Sequence, residues 1–565
     1  MKKAYEKYIP FVPLKLADRT WPEKQITKAP VWCSVDLRDG NQALVDPMNL
    51  EEKLEYFHTL VDIGVKEIEI GFPSASETEY EICRELIDGG HIPDDVTIQV
   101  LVQARPHLIQ KTFEAIRGAK HVILHFYNST STLQRKVVFH SDMAGITKIA
   151  VDAAQLIYEL SQPMIEAGMD LRYEYSPESF MGTEMDYAVE ICQAVLENLH
   201  ATPQKKVILN LPTTVENCMP NYFADEIEYF IRKLPSRECA IISLHPHNDR
   251  GTGVATAEMG LLAGAERIEA TLFGNGERTG NVDMVTLAMN MYTQGVDPEL
   301  DFSNINKIKD MYERCTKMKV GERQPYAGEL VFTAFSGSHQ DAINKGTQYM
   351  QESHSDLWEI PYLPIDPADV GRQYEPIIRI NSQSGKGGAA FVMQHSFGFD
   401  LPKAMHPEFG HIVQVETDRV GTELKPERIF ELFKENYIDV TTPYQLVRHS
   451  FAEFTDEEGH SHVTFAGTLR HKETLFSVQG SGNGPIDAFF NAIHGQKMDR
   501  FTFVDYKEHA ITRGSDSQAV AYILLRDQQG HDIFGVGMSH NINLAPLKGI
   551  LSAINRSVTN RVTFS

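Results

Sequence analysis

Between residues 31 and 295 one unit recurs eight times: a short β-branched run that ends in polar residues, then a longer segment with helical periodicity. The runs are VWCSVDL from Val31, VKEIEIGF from Val65, VTIQVLVQ from Val96, HVILHFYN from His121, DLRYEYS from Asp170, KKVILNLP from Lys205, AIISLHPH from Ala240 and RIEATLFG from Arg267. Their spacing of roughly thirty residues is that of one strand plus one returning helix. In the segment Asn49–Gly64, for example, Leu50, Leu54, Phe57, Leu60 and Val61 fall on one helical face. Eight such units predict an α/β fold, a (β/α)₈ TIM barrel, whose chemistry gathers at the C-terminal ends of its strands.

Those ends carry more than turn residues. The first strand runs into SVDLRDGNQAL, which sets Arg38 beside Asp39. Asp and Gly suit a turn, and the two charges could neutralise each other there. Gln103 and Arg105 follow the third strand, His125 and Asn128 end the fourth, and Glu174, Ser176 and Glu178 end the fifth. Asn210 and Thr214 close the sixth, His245 and His247 the seventh, and the eighth leads into GNGERTGN, ending at Asn281. In a barrel all of these converge on one mouth, and turn chemistry alone does not call for so many imidazoles, amides and carboxylates.

Residues i and i+2 of a strand project to the same side, so His245 and His247 can hold one ion, although a lone His-x-His is more often a solvated pair. Asp39 and Asn281 reach the same rim from strands one and eight. One carboxylate, two imidazoles and an amide oxygen suit an octahedral Mg²⁺ or Mn²⁺ with two positions free, which fits chelation of a 2-oxo acid. Zn²⁺ is a further candidate, and K⁺ is carried as a candidate activator. Arg38 would stabilise an alkoxide formed at the ketone, alongside its salt bridge to Asp39.

The rest of the chain differs. Residues 301–360 are helical and polar, followed by the proline-rich PYLPIDP from Pro361 and the glycine-rich SQSGKGGAA from Ser382. A strand-rich region begins near residue 436 and carries an internal duplication: LFSVQGSGNGPIDAFFNAI from Leu475 and IFGVGMSHNINLAPLKGIL from Ile533 are each strand, polar loop and apolar helix. Expected boundaries are an N-terminal arm over 1–30, the barrel over 31–325, helical and α+β linker subdomains over 326–435 and a C-terminal α+β regulatory domain over 436–565.

With 53 Lys plus Arg against 77 Asp plus Glu, the net charge is −24, which disfavours nucleic acid and anionic membrane. No run approaches the roughly 18 apolar residues of a membrane span. The N-terminal stretch lacks a signal-peptide core, and six scattered cysteines suit a reducing compartment. A cytoplasmic protein is expected.

The motifs DLRDGNQA, HPHNDRGTGVA and GNGERTGN are similar to the signatures of the DRE-TIM metallolyase superfamily. HFYNSTS at His125, EYSPESF at Glu174, NLPTTVE at Asn210, SGSHQDAINKG at Ser336, PYLPIDP at Pro361 and NSQSGKGG at Asn381 resemble, more narrowly, the long-form 2-isopropylmalate synthases. The resemblance runs from about residue 10 to the C-terminus. It implies a Claisen-type condensation of acetyl-CoA with 3-methyl-2-oxobutanoate, the committing step of leucine biosynthesis, in a homodimer inhibited by leucine.

By motif, Asp39, His245, His247 and Asn281 resemble the metal ligands and Arg38 the residue at the ketone. Thr214 resembles the residue that binds the substrate carboxylate, and His125, Ser176, Glu178 and Asn210 resemble the lining of the 2-oxo acid pocket. His339 and Tyr362 match residues acting at the barrel mouth, expected from the other subunit. Glu178 and His339 are candidates for the base, with Glu178 equally readable as a buried, hydrogen-bonded carboxylate; Tyr362 would donate to an oxygen. Gly482, Asn483, Ile486 and Ala510 are the candidate regulatory residues, and the bland alternative is a domain that only dimerises. Met181 departs from the family pattern, where a small polar residue is expected. Competing readings are synthases using pyruvate or 2-oxoglutarate, an aldolase-type lyase on the same barrel, and a non-catalytic amino-acid sensor.

Overall fold

The computed structural model describes residues 3–334, 336–374, 385–420, 424–438, 440–455, 461–494, 500–511 and 517–559. They form two compact units, Met1–Phe332 with Pro364–Tyr374, and Thr333–Leu363 with Glu375–Ser565. Residues 381–384 of the NSQSGKGG motif lie outside the described residues. No helix among the described residues is long and apolar enough to cross a membrane.

In the first unit, eight parallel strands close a barrel in sequence order. They are β1 (Val31–Ser34), β2 (Glu67–Gly71), β3 (Thr97–Gln103), β4 (His121–Ser129), β5 (Asp170–Glu178), β6 (Val207–Pro212), β7 (Ala240–His245) and β8 (Arg267–Ala270). The eight runs read from the sequence are these eight strands. Their outward side chains, such as Ile68, Ile70, Ile98, Val100, Val122 and Leu124, are fully buried under the helices. The inward face is polar: Glu67, Glu69, Gln99, His125, Glu174, Ser243, Arg267 and Glu269 are all buried. Most such barrels fill this space with branched aliphatics. Here charges take their place and must satisfy one another.

The first return helix, Leu50–Ile63, starts at an Asn49 cap with a reciprocal Glu52 bond and stops at Gly64, whose φ of 107° favours glycine. Its buried stripe is Lys53, Tyr56, Phe57, Leu60 and Ile63. Leu50, Leu54 and Val61 are only half-buried, so the expected face is rotated. The reason is polar: the Tyr56 hydroxyl donates to Asp36, 2.8 Å away, and the buried Lys53 ammonium pairs with Glu79. Both side chains are therefore satisfied on the inner side, which an apolar-stripe reading does not anticipate.

The second unit holds the helices Gly337–Ser353, Gly385–Phe397, His406–Val420 and Pro426–Phe433, followed by two antiparallel sheets. The first is β9 (Tyr444–Thr455), β10 (Ser461–His471) and β11 (Thr474–Gly482), the second β12 (Phe501–Ala510), β13 (Ala519–Asp527) and β14 (Asp532–Ser539). Each meander leads into a helix, Pro485–Ile493 and Leu544–Val558. The duplication is thus larger than its strand–loop–helix signature, spanning βββα twice. Both helices share one apolar core with Val463, Phe465, Ile523 and Leu525.

Each helix lies directly on glycines of its last strand. A Cβ on Gly535 would collide with the backbone of Gly549 and Ala553, whereas one on Gly484 meets nothing within 4 Å. Gly535→Val should therefore destabilise the chain by about 1–3 kcal/mol through overpacking. Gly484→Ala should stay within about 0.5 kcal/mol. Denaturant unfolding checks both, and equal midpoints would refute the close packing.

Candidate active site

A cavity of about 280 Å³ opens at the C-terminal end of the barrel, lined by Arg38, Asp39, Gln42, Phe72, Leu101, His125, Tyr127, Ser176, Glu178, Asn210, Pro212, Thr214, His245, His247, Glu277 and Arg278. The stretch after β1 is a tight turn in which the Val35 carbonyl accepts from the amides of Arg38, Asp39 and Gly40. Asp36 pins this turn from three sides, accepting from Ser34 Oγ and Tyr56 OH at 2.8 Å each and from the Leu272 amide at 3.0 Å. Arg38 and Asp39 are thereby held facing inward, with Arg38 Nη1 3.0 Å from Asp39 Oδ1 and its Nε paired with Glu69. Both the ion pair and the cavity position read from the sequence are present.

His245 leaves the end of β7 with Nε2 3.1 Å from Asp39 Oδ2 and Nδ1 2.7 Å from Glu269 Oε2. His247 Nε2 lies 3.9 Å from the same Asp39 oxygen. Asn281 arrives because the loops after β7 and β8 pair: His247 bridges Asn281, and Val282 N donates to Pro246 O at 2.9 Å. This zipper requires Gly280, whose φ is 92° and whose Cβ would strike the Gly274 carbonyl. Asn281 Nδ2 donates to Asp39 Oδ2 at 2.8 Å, while Asn281 Oδ1 and His247 Nδ1 are buried without a partner.

Asp39, His245 and His247 present donor atoms within 4.8 Å of one another, all buried. An orphaned amide oxygen beside a carboxylate and two imidazoles fits a divalent cation of mixed N/O preference. Glu269 accepts from His245 Nδ1 and so turns Nε2 toward Asp39, the orientation an imidazole needs to ligate once Nε2 has lost its proton.

The remaining predicted residues separate into groups. His125, Ser176 and Asn210 are mutually bonded in the cavity wall: His125 Nε2 lies 2.8 Å from Ser176 Oγ, to which Asn210 Nδ2 donates at 3.1 Å. Glu178 is half-buried and accepts from Ser129 Oγ. Thr214 sits at φ 57° with Oγ1 accepting from the Ser179 amide at 2.8 Å, and its carbonyl accepts from Arg278. Met181 is buried, its sulfur 3.3 Å from the Asn217 amide, so it packs between the loops after β5 and β6.

His339 and Tyr362 belong to the second unit, where their rings stack at 3.9 Å. Gly482 ends β11, Asn483 follows it in the loop and Ile486 lies in the first turn of the helix Pro485–Ile493, with the Asn483 amide donating to Asp487 Oδ2 at 3.0 Å. Ala510 does not join them. It pairs with Ala519, itself opposite Ser539, and so stands beside the second repeat's loop.

Sequence reasoning passed over Glu69, Gln99, Arg267 and Glu269, which support the cavity wall from within the barrel. The signal was there: Glu67-x-Glu69 and Arg267-x-Glu269 place charges at i and i+2 inside runs otherwise read as buried strands. Gln42, Glu277 and Arg278 were also not singled out as cavity residues.

A closed eight-stranded barrel with an Asp–His–His–Asn corner at its mouth places the catalytic unit among HMGL-like domains, and the HMGL-like family model matches residues 29–311. The model of the alpha-isopropylmalate synthase post-catalytic domain matches residues 329–394, and that of the LeuA allosteric (dimerisation) domain residues 423–558. The chain belongs to the 2-isopropylmalate synthase family. It is 55% identical to a 2-isopropylmalate synthase of Clostridium acetobutylicum, over 98% of this chain and 99% of that protein. It is 53% identical to one from Brucella suis, over 99% of this chain and 100% of that protein. A third, from Rhizobium johnstonii, is 54% identical over 98% of each.

In metal-free protein burial disfavours the His245 cation, but hydrogen bonds to Asp39 and Glu269 outweigh it and lift the imidazole to about 9. Burial and the His245 charge together push His247 down to about 4. At pH 7 a binding cation therefore displaces one proton, from His245, and none from His247. Metal affinity should rise about tenfold per pH unit up to about 9 and then level off. Calorimetry in two buffers of different ionisation enthalpy at pH 7 should count about one proton released per ion. A count of zero would refute the pairing.

Proposed function

We propose that this protein is a 2-isopropylmalate synthase: it condenses acetyl-CoA with 3-methyl-2-oxobutanoate and water to give 2-isopropylmalate and CoA, the committing step of leucine biosynthesis. The observation that carries the reading is the single cavity that gathers Arg38, Asp39, His125, Thr214, His245 and His247, in a chain aligned over nearly its whole length with synthases of that name. Asp39, His245, His247 and Asn281 would hold a divalent ion, Mg²⁺ or Mn²⁺, which supplies Lewis acidity at the ketone of the 2-oxo acid.

The chain's own groups do the rest. Arg38 is buried among carboxylates and permanently charged, so it offers a fixed guanidinium to the alkoxide that forms as the carbonyl is attacked. Thr214, turned inward by its left-handed backbone, is placed to bind the 2-oxo acid carboxylate. Glu178 projects into the cavity two residues beyond Ser176 and is placed to take a methyl proton from acetyl-CoA. His339 and Tyr362 act with it, supplied by a second copy of the chain in a homodimer. Phe72, Leu101, Tyr127 and Pro212 give the cavity an apolar wall, which suits an isopropyl group better than the second carboxylate of 2-oxoglutarate.

The C-terminal module, matched by the LeuA allosteric domain, is the seat of leucine inhibition. A cytoplasmic location follows from the same reading.

Thiol release with a panel of 2-oxo acids tests the reaction. CoA should appear with acetyl-CoA plus 3-methyl-2-oxobutanoate, fall to background after chelation and return with Mg²⁺ or Mn²⁺. A preference for pyruvate or 2-oxoglutarate, or turnover without metal, would overturn the assignment. Mixing His339→Ala with His245→Ala chains should restore activity through hybrid dimers, and no recovery after subunit exchange would place each site within one chain. Leucine should inhibit without competing with the 2-oxo acid, and Asn483→Ala should weaken that inhibition; calorimetry without a leucine signal would reject the site.

A further inference from the structure

The reaction has a second half that the groups above leave unassigned, the hydrolysis of the CoA thioester once the carbon–carbon bond is made. In the cavity wall a chain of hydrogen bonds runs from Glu69 through His125 to Ser176. His125 Nδ1 lies 2.7 Å from Glu69 Oε2 and Nε2 lies 2.8 Å from Ser176 Oγ. The neighbours of this chain orient its protons. Asn210 Nδ2 donates at 2.9 Å to Glu269 and at 3.1 Å to Ser176 Oγ, which settles the orientation of the amide. The Glu69 carboxylate only accepts, so Nδ1 carries a proton and gives it to Glu69. In the neutral ring Nε2 is then the acceptor, and Ser176 Oγ, which accepts from Asn210, donates its own hydrogen to it.

Glu69 is held as an acceptor by Arg38 on one oxygen and by Gln99, at 2.7 Å, on the other. Gln99 uses its second hydrogen on Glu269 Oε1 at 2.8 Å, and its amide nitrogen also lies 3.3 Å from His125 Nδ1. All members are buried, yet Ser176 and His125 line the cavity. The arrangement has the connectivity of a serine–histidine–carboxylate relay, with the serine hydroxyl facing the substrate space.

We propose that Glu69, His125 and Ser176 form the proton relay of the hydrolytic half-reaction, a reading that rests on the synthase function proposed above. Ser176 and Glu178 sit at i and i+2 of β5 and project to the same side. Both line the same cavity, so a thioester whose methyl carbon is presented to Glu178 has its carbonyl carbon, one bond away, in the space that Ser176 also faces. A water attacking that carbon forms the new C–O bond and passes a proton to Ser176 Oγ as Ser176 passes its own to His125 Nε2. The imidazolium is held by Glu69. When the C–S bond breaks, the proton returns through Ser176 to the CoA sulfur, and the product acid releases its remaining proton to solvent. Water and thioester are consumed, carboxylate, proton and thiol are formed, and no redox partner is needed.

The test supplies 2-isopropylmalyl-CoA, prepared chemically, to the full-length metal-loaded enzyme. CoA release should be about a hundredfold slower in Ser176→Ala and His125→Asn, a typical loss for a proton-transfer group. In the complete reaction, rapid quench and mass spectrometry should show the ratio of CoA thioester to free CoA rising in both variants, which a general loss of packing does not move. The wild type should give a curved proton inventory in mixed H₂O and D₂O, and this readout stands even if a variant fails to fold. Release from the supplied thioester at the wild-type rate, a linear inventory, or a covalent acyl adduct on Ser176 would each overturn the relay. Absence of any condensation product with the wild type would instead overturn the synthase reading.

Discussion

The barrel interior depends on one cation. Arg267 is 1% exposed and meets Glu67 at 2.6 Å, Glu269 at 3.1 Å and Glu174 at 3.2 Å, with further bonds to Ser243 and Gln99. An isolated charge at such depth would cost several kcal/mol, and removing one partner of a buried pair typically costs about 3–5 kcal/mol. The guanidinium is stable there only because carboxylates surround it, and they are stable only because it is there. Burial drives Glu174 well above the ordinary carboxylate range, with Arg267 pulling against it. Burial also opposes ionisation of Glu269 and Glu67, but for these two histidine and arginine partners win and hold them low. The interior thus holds carboxyls pushed in opposite directions by burial and by their cationic partners, an arrangement that aliphatic layers would not provide.

From this core the carboxylates reach outward to the chemistry. Glu69 takes Arg38 on one oxygen and His125 on the other; Glu269 takes His245 and Asn210 on one oxygen and Arg267 and Gln99 on the other. Each cavity side chain therefore has its rotamer and its proton set by a group that is itself immobilised. Preorganisation of this kind lets a charge or lone pair act without reorientation at the moment of reaction. The loops add the second constraint. Arg278 bonds Asp249 at 2.7 Å and also the Thr214 carbonyl, while Asp249 accepts from the Glu216 amide at 2.9 Å. The segments after β6, β7 and β8 are cross-braced, and Thr214 and His247 are carried by the brace.

How much of this was legible follows from what each signal measures. The eight strands were visible because strand runs and helical segments alternate at fixed spacing, and the mouth residues because topology assigns strand ends to one face. Asp39, His245, His247 and Asn281 were readable as a set on those grounds alone. Glu69, Gln99 and Glu269 were not, since a charge inside an apolar run reads as a flaw in the strand until the closed sheet shows which way it points. The rotated stripe of Leu50–Ile63 failed for the same reason: Lys53 and Tyr56 are buried by their partners Glu79 and Asp36, and hydrophobic periodicity does not register partners. Ala510 was named for its apolar character alone, and the register of β12 on β13 sets it beside the second repeat's loop.

The two repeats of the C-terminal module also show how equal sequences come to differ. Along β13, Val520, Tyr522 and Leu524 pack on the helical region that includes Phe409 and Phe433, and Ile523 and Leu525 pack on the shared helical core. This sheet is covered on both faces. In the first repeat β9 is largely exposed, from His449 to Thr455, so that sheet has one face in solvent. The loops diverge in parallel. Asp487 closes the first, its carboxylate accepting from the Asn483 amide and from Asn491 Nδ2, whereas the second helix has no acid in its first turn and Asn541 accepts from the amides of Asn543, Leu544 and Ala545. The symmetry visible in the sequence therefore does not extend to the hydrogen bonding of the loops: in the first a helix carboxylate takes the loop amide, and in the second a loop asparagine takes the amides that open the helix.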